Sequence, residues 1–208
     1  VTKGRLEAFS DGVFAIAITL LALNLPTPDG AGPLGHFVTA HWTSYAAYLD
    51  SFFIIGIIWL NHHALFNISS RTSRQVNLVN LVLLLFVVTI PYVTGLLATY
   101  LRTDEGGAHL AAAIYSGVML GMAVTMTALF ELLSRLARVD DPTRVDRNVV
   151  RARRRRFGAG QLVYAGTVGL AFVSAPATLV VHFVISGYYL FDQLPSVERD
   201  PTDQSRPA

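Results

Sequence analysis

The sequence predicts an all-α integral membrane protein with six transmembrane helices per subunit, and two observations carry that expectation. First, 52% of the 208 residues are hydrophobic and only 14% are charged, with a clearly positive mean hydropathy, outside the usual range of soluble domains. Second, charge is distributed asymmetrically: 15 of the lysines and arginines fall in alternate connections, and Arg102 alone falls on the other side. Under the positive-inside rule this pattern places both termini in the cytosol. The basic pI of about 9.1 then reflects arginines clustered between apolar spans, so no nucleic-acid partner is expected. The chain contains no cysteine, which excludes a disulfide framework, a thiolate metal site and a cysteine nucleophile.

A membrane crossing needs about 20 mostly apolar residues. The first qualifying segment, 6–25, follows a short basic stretch without a small-residue cleavage site and is expected to be retained. The connection PTPDGAGPLGHF is rich in proline and glycine and carries no lysine or arginine, as expected of an extracytosolic turn. Segment 43–66 opens beside Trp42, Tyr45 and Tyr48, which suit an interfacial aromatic belt. Segments 76–101 and 110–133 follow. The stretch 157–191 is too long for one crossing, and Ser174, Ala175 and Pro176 supply a break, because proline removes a helix donor and disfavours helix before it. The expected organisation is therefore a six-helix transmembrane domain over 1–191 and a polar, disordered cytosolic tail over 192–208. No second copy of the FSDG segment occurs, so any symmetry must arise from association of subunits.

The segment RLEAFSDGVFAIAITLLALNL presents two surfaces. Ile16, Thr19, Leu20 and Leu23 follow helical spacing and form one stripe. Spacing leaves two readings open: packing against a neighbouring helix or lipid, or lining a pore in which aliphatic rings form a dewetting constriction beside a ring of threonine hydroxyls. Asp11 lies on the other side of the wheel and is expected to face protein, since an unpaired carboxylate within an apolar span costs on the order of 3 kcal/mol. A first-turn position at the interface is the alternative. Trp59, Asn61, His62 and His63 lie at the matching depth of the second helix, and Asn77 and Asn80 open the third. Together with Arg5 and Ser10 they are expected to satisfy one another's hydrogen bonds and to tie the first three helices together.

Adjacent histidines point about 100° apart on a helix, so His62 and His63 do not make a metal pair, and no metal site or cofactor is expected. A pH response, with Asp11 as counter-charge, fits histidine better. His182 reads as a packing residue. The run RVDRNVVRARRRRF is expected to fix topology and to meet anionic lipid headgroups through Arg151, Arg153, Arg154, Arg155 and Arg156. Asp11, His62 and His63 lack the partner constellation of an enzyme, so none is expected. A secondary transporter or proton-coupled cation carrier remains the alternative class, one that places ionisable groups and broken helices near the midplane.

Arg5, Phe9, Ser10 and Asp11, in RLEAFSDGVFAIAITLL, form a motif that resembles the signature of the transmembrane protein 175 family, the lysosomal and endosomal potassium channels and their bacterial relatives. IIWLNHHALF resembles the family's second-helix segment. The resemblance implies a potassium-permeable cation channel without a TVGYG filter, in which first helices line the pore. It also implies a constriction at Ile16, Leu20 and Leu23 with a threonine layer at Thr19. One six-helix repeat per chain implies a homotetramer, in a prokaryotic plasma membrane. Arg5, Phe9, Ser10 and Asp11 are then expected to hold the pore helix against the second and third helices, with potassium as the transient occupant of the pore.

Overall fold

A computed structural model describes residues 2–30, 32–103, 105–140 and 147–191. Its elements in chain order are α1 (Lys3–Leu23), α2 (Leu34–Ala40), α3 (Trp42–Phe66), α4 (Arg74–Thr103), α5 (Glu105–Asp140), α6 (Arg147–Ala171) and α7 (Ala175–Phe191). Among the described residues there is no strand. The described fold is therefore all-helical. By length and composition α1, α3, α4 and α5 can each cross a bilayer, while α7 is apolar but shorter. Arginines occupy the first turns of α6 and lower its hydropathy. The predicted tail 192–208, with Arg199 and Arg206, and also Arg144, lie outside the described residues.

Local chemistry explains the breaks. Ser174 ends the turn after α6 and caps α7: its hydroxyl accepts the Ala177 N–H at 3.3 Å, and its carbonyl accepts the Thr178 N–H at 3.1 Å. Pro176 thus falls in the first turn of α7, where a missing N–H breaks no helical bond. Pro91 lies inside α4, yet the helix continues through it, and its carbonyl accepts a hydrogen bond from Asn24 Nδ2 at 2.8 Å. The connection read as a turn is a turn only in part. Gly30 and Gly32 take φ of 83° and 104°, and Leu34–Ala40 then folds as a short helix with no buried residue. Proline and glycine at the head of that segment conceal the helix-permissive sequence behind them.

The core is continuous across the bundle, with Phe14, Ile55, Phe66, Leu83, Tyr115 and Phe130 among its buried side chains. Helices α4 and α5 approach closely at Gly121, where a Cβ would meet the Phe86 ring at 2.5 Å. Small residues at helix contacts serve this purpose where hydrophobic driving force between helices is absent. Helix α1 lies against α3 and α4.

Candidate pore helix and its anchor

Helix α1 divides by face. Leu6, Ser10, Phe14, Ala17 and Leu21 recur at helical spacing and are buried. On the other side Ile16 is 59% exposed, Leu20 40% and Leu23 79%, and Thr19 is exposed with them. Only 28% of the apolar window of α1 is buried, against 50% for α4 and for α5. The least covered of these apolar helices is thus the one carrying the predicted stripe. The Thr19 hydroxyl donates to the Ile16 carbonyl at 2.8 Å, which commits its hydrogen to the backbone and leaves oxygen lone pairs outward.

The buried face carries the anchor. Ser10 Oγ donates to the Leu6 carbonyl at 2.9 Å and accepts from Asn80 Nδ2 at 2.9 Å. The other end of that carboxamide, Asn80 Oδ1, lies 2.7 Å from His62 Nε2. An amide oxygen only accepts, so His62 carries its hydrogen on Nε2. Ser10, Asn80 and His62 are each at most 1% exposed, so one carboxamide joins α1, α3 and α4 where water cannot substitute for it. The edge of the Phe14 ring packs on the His62 ring at 5.4 Å.

Asp11 lies beside this triad and not within it. Its Oδ1 accepts from Trp59 Nε1 at 2.9 Å at a half-exposed position, and the His63 ring, which is exposed, stands 6.3 Å from the Trp59 ring. The expected cluster therefore separates. Arg5 and Phe9 are exposed, and Asn61 turns away to line a cavity with Ile54, Met126, Phe157, Tyr164 and Ser186, between α3, α5, α6 and α7. One residue along a helix is about 100° of rotation, enough to place Asn61 and His62 on different contacts.

The basic run also separates by face, because it is the start of α6 rather than a loop. Arg154 makes a two-pronged pair with Glu131 at 2.6 Å for each bond. Arg153 is buried with its guanidinium over the Phe130 ring at 5.8 Å, and Arg156 reaches the Tyr188 and Tyr189 rings. Arg151 and Arg155 remain exposed. Contact of the whole run with lipid headgroups is thereby corrected: Arg153 faces the bundle. His182 is buried, as a packing residue should be, with Nε2 3.0 Å from Ser116 Oγ. Among the described residues no group of three metal-ligating side chains occurs.

A sequence profile described as endosomal/lysosomal potassium channel TMEM175 matches residues 5–91. A potassium channel of Streptomyces collinus is 51% identical over 200 residues, covering 95% of this chain and 96% of its own. The chain belongs to the TMEM175 family. A potassium channel of Chamaesiphon minutus is 36% identical over 191 residues, covering 89% of this chain and 92% of its own. The crystal structure of a TMEM175 homologue from Chamaesiphon minutus, described as a lysosomal potassium-selective channel, superposes with a TM-score of 0.78 at 35% identity, covering 90% of this chain and 96% of that one. The TMEM175 profile spans α1, α2, α3 and α4 as far as Pro91, and so includes the parts of α1, α3 and α4 that Asn80 joins.

Asn24 went unnoticed in the sequence. It ends α1 and bonds to Pro91 on α4, fixing the far end of the helix as Ser10 fixes the near one. The signal available was an asparagine two residues before Pro26, where a helix commonly stops.

Proposed function

We propose that this chain is a potassium-permeable cation channel of the TMEM175 type. Four copies place α1 around a central axis, each subunit contributes six spans, and both termini lie in the cytosol of a prokaryotic cell. Ile16, Leu20 and Leu23 form apolar rings at the constriction, with Thr19 between them. Arg5, Phe9, Ser10, Asp11, Trp59, Asn61, His62 and His63 are assigned to the region that holds the pore helix, with Ser10, Asp11, Trp59 and His62 making direct bonds there. Exposed Arg151 and Arg155 are assigned to anionic headgroups. No enzymatic step is assigned.

The observation that carries this reading is the asymmetry of α1: one face is pinned by hydrogen bonds and close packing, while the opposite stripe is exposed. An outward-facing Thr19 oxygen suits a cation better than it suits lipid. A cation between aliphatic rings finds no carbonyl cage, so it passes partly hydrated, and discrimination depends on ring size and on Thr19.

Purified protein in planar bilayers tests this. Unitary currents that reverse with a potassium gradient are expected; their absence, with slow coupled uptake instead, favours a transporter. Ile16→Asn is expected to raise conductance and to weaken discrimination of potassium over sodium. Unchanged currents remove Ile16 from the constriction.

A further inference from the structure

A second polar cluster lies on α3, away from α1. Asp50 is fully buried. Its Oδ1 accepts from Ser186 Oγ at 2.8 Å, and its Oδ2 lies 3.3 Å from the Tyr115 hydroxyl. That hydroxyl is also 3.0 Å from Ser51 Oγ, which is 2.7 Å from Thr94 Oγ1. The Thr94 hydroxyl donates to the Ile90 carbonyl at 2.7 Å. Four helices, α3, α4, α5 and α7, meet in this string, and all of its side chains are buried.

Among the described residues Asp50 takes part in no ion pair. Tyr115 faces it from α5. His182 on α7 packs against the Tyr115 ring at 5.1 Å, and Tyr164 on α6 stacks on His182 at 5.7 Å. His109 on α5 bonds to the Ala171 carbonyl instead, Arg74 and Arg102 stand at opposite ends of α4, and α4 offers Thr94. The titratable residues of α1 gather near Asp11, level with Trp59 and about 13 Å along α3 from Asp50. A carboxylate buried among hydroxyls without a cation is strongly disfavoured, so the site calls for a positive charge of its own.

Counting hydrogens identifies which. Each hydroxyl has one. Thr94 directs its hydrogen to Ile90, so Ser51 donates to Thr94. Tyr115 then has one hydrogen for two acceptors, and Ser51 is the nearer. Towards an ionised carboxyl Tyr115 donates to Oδ2; with its hydrogen on the nearer Ser51 instead, the Tyr115 oxygen faces Oδ2 without one between them. A proton on Oδ2 supplies the missing link, and the string runs donor to acceptor from Asp50 through Tyr115, Ser51 and Thr94 to the Ile90 carbonyl.

We propose that Asp50 is a proton-binding site, occupied at neutral pH, that lies outside the α1 stripe and closes the hydroxyl string between α3, α4, α5 and α7. Loss of the proton swings the Tyr115 hydrogen to the carboxylate and opens its link to Ser51. Proton occupancy thereby sets how firmly the outer helices hold α3, independently of whether α1 lines a pore.

Infrared difference spectroscopy on the full chain in lipid vesicles tests this at neutral pH, with choline as the bulk cation. The wild type is expected to give the carbonyl stretch of a protonated carboxylic acid, sensitive to deuterium exchange, and Asp50→Asn is expected to abolish it. Absence of the band in the wild type, or its survival in Asp50→Asn, overturns the proposal. A carboxylate signal that tracks added sodium or potassium also overturns it, by placing a metal ion where the proton is assigned. Should Asp50→Asn fail to fold, Tyr115→Phe decides: loss of the acceptor moves the band to higher frequency, whereas an unmoved band overturns the string.

Discussion

Two buried polar clusters share α3, and they hold different things. The cluster of Ser10, Asn80 and His62 is built without a carboxylate and reaches α1; the cluster around Asp50 contains a carboxyl and reaches α5 and α7. Both clusters also use α4, through Asn80 and Thr94, but their separation along α3 leads to the expectation that a substitution in one loosens chiefly α1 and in the other chiefly α5 and α7. Helix α1, held at Ser10 near one end and at Asn24 at the other, with Phe14, Ala17 and Leu21 completing its buried face, has a defined orientation for its exposed stripe.

Substitutions at the two clusters can break this comparison. The largest effect is expected from Asn80→Ala, which strips both partners at once and leaves the His62 N–H buried without an acceptor. A loss of about 2–3 kcal/mol in detergent unfolding is expected, together with altered currents. Normal currents at that cost in stability would separate the triad from pore geometry. Ser186→Ala removes one bond to Asp50 and is expected to cost about 1 kcal/mol while leaving conductance and selectivity as in the wild type. A changed selectivity there would join the two clusters. The smallest effect is expected from Trp59→Phe, which deletes the half-exposed bond to Asp11 and should cost under about 1 kcal/mol by the same unfolding measurement.

The parts that were legible in sequence are those governed by helical period. The two faces of α1 follow from spacing within about 20 residues, and the break before Pro176 follows from one missing N–H. The parts that were not legible depend on rotation and on long-range pairing. Asn61 and His62 are adjacent, but only the structure tells which of the two meets α1. Arg153 turns inward because α6 begins well before its apolar stretch, so a run that looks uniform in sequence becomes a helix with two faces. Asp50 was the one acid inside the second apolar segment, yet its partner Ser186 is 136 residues away, beyond any periodic signal.

The absence of cysteine allows a direct test of the central claim, that the α1 stripe faces an aqueous ion path. Thr19→Cys and Leu23→Cys each introduce the chain's sole thiol, as does Val180→Cys on an exposed part of α7. A membrane-impermeant charged thiol reagent applied during bilayer recording is expected to reduce the potassium current of the two α1 variants and to leave Val180→Cys unchanged. Currents that stay unchanged in Thr19→Cys and Leu23→Cys, with thiols as unreactive as that of Val180→Cys, would place the stripe against lipid or protein and contradict the account.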